Sequence, residues 1–221
     1  MKKMPRFAII LSGCGRSDGS EIHETVTAML AITELGCSYD CYAPNIEQSV
    51  VINGLTSEKT AERRNVLVES ARLARGEIKD IRELKINDYE GLLLPGGLGA
   101  VTNWCDFAQT GIECHVEDSI SRVLEEGYKQ KLVIGAMCIA PVIVAKVLGK
   151  HGITVTIGND KTVAKSIEST GAHQQDTKVE EACVDEKNRI VTTPAYMLAR
   201  NISEVNQGAR SMIKAMIALA E

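Results

Sequence analysis

Short apolar segments rich in β-branched residues alternate with longer segments in which apolar residues recur at helical spacing. This alternation is typical of βαβ units, in which helices cover both faces of a parallel sheet. We therefore predict an α/β fold of the doubly wound type with a mostly parallel central sheet. Its buried strands are predicted at residues 7–11, 38–42, 91–94, 132–136, 155–157 and 190–193.

The helical segments are predicted from the same pattern. The first helix follows the first strand, and Gly36 suits its left-handed end. Further helices are predicted over residues 60–75, closed by Gly76, and over residues 198–220, while residues 81–88 predict a short edge strand and a turn. The apolar stripe of the first helix consists of Ile22, Val26, Met29, Leu30 and Thr33.

The composition is that of an ordinary globular protein, with 44% hydrophobic and 24% charged residues in a chain of 221. No repeat, low-complexity tract or flexible linker divides the sequence, so we predict one domain over residues 1–221. The net charge of −4 disfavours a nucleic-acid partner, because phosphate binding requires clustered Lys and Arg.

No apolar stretch approaches the roughly 20 residues that span a bilayer, so no membrane partner is expected. The apolar run at residues 7–11 follows three basic residues but is too short for the core of a signal peptide. These two observations predict a cytoplasmic protein.

The seven cysteines form an odd set without CxxC spacing, which indicates reduced thiols rather than a disulfide framework. A zinc site requires closely paired Cys or His ligands. The only close pair, Cys37 and Cys41, lies on a predicted strand with no histidine nearby. We therefore predict no metal and no other cofactor.

Cys138 lies where an apolar strand turns into an apolar helix. Ala136 and Ala140, two residues before and after it, are small, as the sharp turn of a nucleophile elbow requires. Pro141 suits the first turn of the following helix. A thiol facing that helix N-terminus is expected to have a lowered pKa and to be nucleophilic. The alternative is that Cys138 is a small buried hydrophobic residue.

The predicted strand at 91–94 ends in a glycine-rich loop, whose Gly96 and Gly97 can present N–H groups to a reacting oxygen. Together with the amide of Ile139 they are candidates for an oxyanion hole that binds substrate. The alternative is an ordinary tight turn.

The loop after the first strand supplies two candidate carboxylates, Glu21 and Glu24. Either one could reach the thiol and shuttle a proton, and the spacing alone does not choose between them. Acidic residues also favour the first turn of a helix for dipole reasons. Cys14 is a further candidate for the pocket or a packed small residue, and His23 or His115 could form a Cys/His dyad through folding.

The motifs SGCGRSDGSEIHE, ERRNVL, LLLPGGLGA, AMCIAP and VTTPAYM lie at predicted element ends. With them the chain resembles the PfpI-like, class I glutamine-amidotransferase-like superfamily, and more closely its ElbB/ES1 branch. Bacterial members of that branch are called isoprenoid-biosynthesis glyoxalase or enhancing lycopene biosynthesis protein. The resemblance covers nearly the whole chain.

This resemblance implies a flavodoxin-like three-layer sandwich, usually a homodimer, with Cys138 as nucleophile and a glutamate of the first helix bonded to it. Glu24 matches the position of that glutamate, with Glu21 in reserve. Related proteins convert glyoxal or methylglyoxal to a hydroxy acid without glutathione, which implies a small dicarbonyl substrate and a cysteine-dependent glyoxalase of the hydro-lyase type.

The sequence departs from its relatives at two positions. Ile139 stands where protease-like members have a histidine, which disfavours proteolysis and amidotransfer. Residues 156–159, TIGN, stand where other glyoxalase-active relatives carry a histidine, which predicts weak activity. The alternative function is a non-catalytic redox sensor or metabolic regulatory protein that uses Cys138. A third, an amidotransferase-like subunit of a synthase, is less favoured because no dyad histidine is apparent.

Overall fold

The computed structural model describes residues 4–221, which form nine strands and eight helices. The strands are β1 (Arg6–Ile10), β2 (Ser38–Ala43), β3 (Ile78–Asp80), β4 (Gly91–Leu94), β5 (Val133–Met137), β6 (Thr154–Val155), β7 (His173–Gln174), β8 (Cys183–Asp185) and β9 (Ile190–Thr193). The helices are α1 (Ile22–Glu34), α2 (Val66–Leu73), α3 (Gly99–Thr102), α4 (Phe107–Thr110), α5 (Asp118–Lys129), α6 (Pro141–Leu148), α7 (Lys161–Glu168) and α8 (Ile202–Ala220).

Seven strands form one central sheet in the order β3-β2-β1-β4-β5-β9-β8. All its neighbours pair in parallel except β8, which runs antiparallel to β9. The chain builds outward from β1 to β2 and β3, then returns to the other side of β1 with β4. Ligands of such sheets bind at the carboxyl ends of the strands where the order reverses. The predicted α/β fold with a mostly parallel sheet is confirmed.

Helices cover both faces of the sheet. Leu92 and Leu93 are successive residues of β4, so their side chains point to opposite faces. Leu92 packs against Gly127 of α5, whereas Leu93 lies beside Gly135 of β5, which packs against Met216 of α8. On its own face α8 also packs against α1, and α5 packs against α6. The result is the predicted three-layer sandwich of the flavodoxin type.

Five of the six predicted strands lie in the central sheet within a residue or two of their predicted limits. The sixth strand, predicted at 155–157, does not belong to the central sheet, so that part of the prediction is wrong. The strand there is β6, which pairs with β7 in a separate two-stranded sheet. The edge position beside β9 is taken by β8, whose Asp185 carboxylate accepts a hydrogen bond from the Thr154 amide at 2.7 Å.

The edge strand predicted within residues 81–88 is also wrong, because the strand ends earlier. It comprises the three residues of β3, and two single turns of 3₁₀ helix follow at Ile81–Glu83 and Ile86–Asp88. The Asp80 side chain accepts a hydrogen bond from the Arg82 amide at 2.9 Å, which ends the strand and begins the first turn.

Two predicted helices begin later than the pattern suggested. Asn65 caps α2 by accepting a hydrogen bond from the Val68 amide, so the helix starts at Val66 rather than near residue 60. Asn201 caps α8 in the same way through the Glu204 amide, so that helix starts at Ile202 rather than 198. In both cases a polar cap overrides the apolar spacing before it.

The apolar stripe predicted for α1 is not its buried face. Ile22, Val26 and Leu30 are 44%, 47% and 45% exposed, although Met29 is buried. The side of the helix that faces the protein instead carries small residues together with the carboxylate of Glu24. Its members are Glu24, Thr25, Thr27, Ala28, Ala31 and Ile32. Small side chains allow the helix to approach its neighbours closely, which brings Glu24 toward the sheet edge.

Candidate functional site

Cys138 stands between the end of β5 and the start of α6, in the sharp turn that the sequence predicts. Its backbone has a φ of 58°, in the left-handed region that non-glycine residues seldom adopt. The Cys138 amide donates to the carbonyl of Thr193 in β9 at 3.0 Å. Ala136 and Ala140 are fully buried, which leaves the turn no room for larger side chains. The turn holds Cys138 at the carboxyl edge of the sheet with 9% of its surface exposed.

Three groups hydrogen-bond to the thiol of Cys138. They are the side-chain carboxyl of Glu24 and the backbone N–H groups of Gly97 and Ile139. The two amides come from the glycine loop after β4 and from the elbow itself. Their N–H groups converge on the sulfur, so a negative charge that develops there or on an adjacent atom would be stabilised.

Glu24 is completely buried, and both oxygens of its carboxyl group accept backbone hydrogen bonds. Oε2 accepts from the Gly96 amide at 3.0 Å, and Oε1 accepts from the Tyr196 amide at 3.2 Å. These bonds fix the carboxyl group against the thiol. Of the two glutamates that the sequence left open, Glu24 is therefore the one that contacts Cys138.

Glu21 has a different position, as the N-cap of α1. Its carboxylate accepts a hydrogen bond from the Glu24 amide at 2.8 Å, and its own amide donates to the Gly96 carbonyl at 2.9 Å. Glu21 therefore joins the start of α1 to the glycine loop and fixes where the helix begins.

The glycine loop has no space for a side chain. A methyl group at Gly96 would collide with Cβ of Cys138 and with Oε2 of Glu24. Gly97 has a φ of 96°, and a methyl group there would collide with the Gly19 carbonyl and the Glu21 amide. The close approach of this loop to the thiol and to α1 therefore requires glycine at both positions.

The pKa values of the two acidic groups both shift upward. Burial raises the pKa of Glu24 to about 7, with a further contribution from the negative charge of Glu21. Burial, followed by the charge of Glu24, raises the pKa of Cys138 well above its usual range. The sequence predicted a lowered pKa for this thiol, and that prediction is wrong. The amides of Gly97 and Ile139 do lower it, but burial and Glu24 outweigh them.

None of the remaining candidates is among the groups that hydrogen-bond to Cys138. Burial raises the pKa of the half-buried Cys14 thiol. The negative charges of Glu69 and Asp18 raise it further, whereas the positive charge of Arg72 lowers it. His23 Nδ1 lies 2.7 Å from the Tyr196 hydroxyl, so its bonding partner is a phenol rather than Cys138. The exposed His115 lies 3.7 Å from Asp118. A role for Cys14 in binding substrate stays a prediction.

Sequence reasoning missed the parts that β9 contributes. Ala195, the second residue after this strand, is fully buried with a φ of 43°, and the strained turn directs the Tyr196 amide to Glu24. The motif VTTPAYM stood out at the end of a predicted strand. The Tyr196 bond to Glu24, however, comes from a backbone amide, which every residue except proline has, so the residue types could not predict it. The hydrophobic pattern also did not predict that β9 pairs with β5.

Within residues 4–221, no three His, Cys, Asp or Glu side chains are arranged to hold a metal ion. The polar groups that meet at Cys138 are one carboxyl group and main-chain amides. Such a set suits proton transfer and charge stabilisation.

Solved structures share this architecture. An isoprenoid biosynthesis protein with an amidotransferase-like domain from Ehrlichia chaffeensis superposes with a TM-score of 0.93 at 33% identity, over 98% of this chain and all of that one. Drosophila melanogaster DJ-1beta superposes with a TM-score of 0.56 at 16% identity, over 99% of this chain and 91% of that one, and shows the fold alone. The fold and the 33% identity to an amidotransferase-like protein over nearly the whole chain define a protein of the class I glutamine-amidotransferase-like superfamily.

Sequence relatives narrow the assignment. The mitochondrial ES1 protein homolog of Rattus norvegicus is 38% identical over 97% of this chain and 84% of its own length. The human mitochondrial glutamine amidotransferase-like class 1 domain-containing protein 3 is also 38% identical, over 97% of this chain and 83% of its own. The chain belongs to the ES1 family. No family model matches it.

These relatives bear on the predicted location. Both carry the word mitochondrial in their names, so a cytoplasmic location stays a prediction for this chain. None of the helices in the described part of the chain combines the length and apolar character that a membrane crossing requires.

Proposed function

We propose that the protein is a cofactor-independent glyoxalase-type enzyme that converts a small dicarbonyl, such as glyoxal or methylglyoxal, into a hydroxy acid. The observation that carries this proposal is the contact between the Cys138 thiol and the Glu24 carboxyl group, with the amides of Gly97 and Ile139 directed at the same sulfur. A nucleophile, a buried proton carrier and two charge-stabilising donors are the groups that such a reaction uses.

The first step joins Cys138 to the aldehyde carbon of the substrate. As the sulfur attacks, Glu24 in its carboxylate form accepts the thiol proton, and the electron pair of the carbonyl bond moves to oxygen. The amides of Gly97 and Ile139 stabilise this oxyanion. Glu24 then returns its proton to the oxygen, which gives a hemithioacetal and a carboxylate ready for the next step.

The second step moves a proton between the two carbons. Glu24 removes the proton from the sulfur-bearing carbon, the electron pair of that C–H bond forms a C=C bond, and the carbonyl oxygen of the neighbouring carbon takes up a proton, which gives an enediol. The neighbouring carbon then receives a proton from Glu24 while the hydroxyl group on the sulfur-bearing carbon loses its own proton and becomes a carbonyl, so the product is the thioester of a hydroxy acid. Water then attacks the thioester, and the thiol leaves as the acid is released. One carbon is oxidised and the other reduced within the same molecule, so the reaction consumes no external oxidant or reductant.

Conversion of methylglyoxal to lactate, followed by proton NMR, tests the proposal. We expect Cys138→Ala to abolish turnover and Glu24→Gln to lower kcat at least about 100-fold, the loss typical of a removed proton carrier. Cys183→Ala, which changes a buried thiol in β8, is the matched control and should retain activity. Unchanged turnover in Cys138→Ala would refute the proposal.

The alternative, a redox or regulatory protein that uses Cys138, gives a different result. It requires selective oxidation of Cys138 at low peroxide together with no turnover on a panel of dicarbonyls. The burial of this thiol and its raised pKa disfavour rapid oxidation, because the thiolate is the reactive form.

A further inference from the structure

Tyr196 supplies one of the two backbone hydrogen bonds to the Glu24 carboxyl group, and the turn that carries it is strained. Its amide donates to Oε1 of Glu24 at 3.2 Å. The preceding residue, Ala195, is fully buried and has a φ of 43°. A backbone in that region returns to a more favourable conformation unless the surrounding structure holds it. The contacts that hold this turn therefore decide whether the amide stays directed at Glu24.

A side-chain contact joins this turn to helix α1. The Tyr196 hydroxyl lies 2.7 Å from Nδ1 of His23, and the centroids of the two rings are 5.9 Å apart. Burial, followed by the charges of Glu21 and Glu24, raises the pKa of Tyr196, so the phenol keeps its proton at neutral pH. In the tautomer of His23 that carries its proton on Nε2, Nδ1 accepts a hydrogen bond from this phenol. The contact lies at the surface, because His23 is exposed and Tyr196 is half-buried.

The two hydrogen bonds of Tyr196 reach two successive residues of α1. Its side chain bonds to His23, and its main chain bonds to Glu24. A movement of the turn away from the helix would lengthen both bonds together. The surface contact between the two rings therefore limits how far the amide can move from the buried carboxyl group.

The Tyr196 amide also acts on the charge of Glu24. Burial raises the pKa of this carboxyl group to about 7, and the Tyr196 amide is the strongest of the groups that lower it. The other groups around the carboxyl are Glu21, whose negative charge raises the pKa, and the Cys138 thiol and the Gly96 amide, which lower it. An N–H group directed at a carboxylate favours the charged form, so a weaker Tyr196 bond leaves less carboxylate at neutral pH.

We propose that His23 and Tyr196 are positioning residues, which hold the Tyr196 amide on Glu24 and so keep this carboxyl group able to accept a proton at neutral pH. The inference rests on the proposed function, in which Glu24 takes the thiol proton of Cys138 before it moves a proton between the substrate carbons. This role requires no contact between either side chain and the reacting atoms. Their contribution is to the fraction of the protein that carries the carboxylate form when substrate arrives.

The protonation of Glu24 can be measured without substrate. In protein labelled with ¹³C at the glutamate carboxyl carbons, the resonance that is missing from Glu24→Gln belongs to Glu24, and its shift against pH gives the midpoint of its titration. We expect a midpoint of about 7 in the unmodified protein. Tyr196→Phe and His23→Leu should each raise this midpoint by at least about 0.5 pH unit, because both remove the same hydrogen bond. Midpoints that stay at the unmodified value in both variants would overturn the proposal.

Further variants separate positioning from general damage to the fold. His23→Asn keeps a polar atom close to the place of Nδ1 and does not titrate, so it should retain the unmodified midpoint. The double variant of His23→Leu and Tyr196→Phe should shift the midpoint no further than one substitution alone, since the two share one bond. Tyr128→Phe is the control, because the Tyr128 hydroxyl donates to Asn188 at 2.8 Å and lies before the opposite end of β5. A midpoint in Tyr128→Phe as high as that in Tyr196→Phe would overturn the proposal.

Turnover of methylglyoxal against pH connects this effect to the reaction. A midpoint raised from about 7 to about 7.5 lowers the carboxylate fraction at pH 7 about twofold but leaves it almost complete at pH 9. In Tyr196→Phe, kcat should therefore fall about twofold at pH 7 and return to the unmodified value at pH 9. An equal loss at both pH values would overturn the positioning role. If the midpoints shift but the unmodified protein shows no turnover, the proposed function fails while the positioning of Glu24 stands.

Discussion

At the scale of single residues, Glu24 links stability to the proposed chemistry. Its carboxyl group is enclosed by the protein, yet it accepts two main-chain hydrogen bonds and contacts a thiol. Those bonds favour the charged form, whereas burial favours the neutral form and dominates. With a pKa of about 7, Glu24 is close to half protonated at neutral pH, which suits a group that must both accept and release a proton.

The same burial makes the charged carboxylate costly to the folded state. Because the pKa rises from 4.5 in the unfolded chain to about 7 in the folded one, the folded state binds this proton more tightly. The contribution of Glu24 to stability is therefore greatest below pH 4.5 and falls as the pH rises through about 7. We expect Glu24→Gln to gain up to about 3 kcal/mol of unfolding free energy relative to the unmodified protein over that interval.

Urea unfolding of both proteins between pH 4.5 and 8.5 measures this difference. If the free energies of unfolding of the two proteins differ by the same amount at every pH in this interval, the raised pKa of Glu24 is contradicted. If Glu24→Gln gains stability but loses turnover, the carboxylate that the reaction needs lowers the free energy of unfolding of the protein.

Individual residue types explain why part of the site could be predicted. Cys138, Ala136, Ala140 and Pro141 lie within one contiguous segment, so the elbow follows from local sterics alone. The choice between Glu21 and Glu24 could not be made, since both stand at the start of one helix and only the packing of α1 decides which faces the thiol. The pKa of Cys138 was predicted in the wrong direction because burial depends on the complete fold.

At the scale of elements, the glycine loop after β4 joins three segments of the chain. Its amides reach Glu24 and Cys138, and its Gly96 carbonyl accepts the amide that begins α1. Gly97 and Gly76 both have positive φ values, 96° and 86°, but only Gly97 is surrounded by main-chain atoms. This pair allows the effect of crowding to be separated from the effect of backbone conformation.

We expect Gly97→Ala to lower the free energy of unfolding by at least about 2 kcal/mol, since the substitution adds a collision to the strain of a left-handed alanine. Gly76→Ala meets only the conformational strain and should cost about 1 kcal/mol. Urea unfolding gives both values, and turnover should fall only in Gly97→Ala. Equal losses of stability in the two variants would contradict the crowding at Gly97.

Element positions were predicted well where the pattern was unambiguous. The strands around β1, β4, β5 and β9 are short, apolar and bounded by turns, so their limits follow from the sequence. The spacing of α1 showed which residues share a face but not which face is buried, because both faces carry apolar residues. In the structure the buried face is the one that carries small residues such as Ala28 and Ala31. The residues of β6 also resemble a core strand, and only pairing with β7 excludes them from the central sheet.

At the scale of the whole molecule, the exposed ridge Ile22–Val26–Leu30 of α1 bears on the predicted homodimer. These three side chains are spaced four residues apart and carry no charge, so the ridge is complementary to a second copy of itself. Helix α1 also supplies Glu24. Pairing through this ridge would therefore fix the position of the helix that carries the proposed proton carrier.

We expect light scattering after gel filtration to give twice the chain mass for the unmodified protein, and a single chain mass for Val26→Asp. The substitution places a charge at the centre of the apolar ridge, where a second copy would have to desolvate it. Val68→Asp, at an exposed valine of α2, is the control and should leave the mass unchanged. A monomeric unmodified protein would show that the predicted dimer is wrong.

The position of β9 has a consequence for biosynthesis. Cys138 depends on Thr193 for the partner of its amide, and Glu24 depends on an amide 172 residues further along the chain. Until the ribosome has released β9, strand β5 has an unpaired edge, the elbow lacks one of its anchors, and Glu24 lacks one of its two backbone donors. The thiol therefore acquires its final surroundings only after most of the chain has been translated.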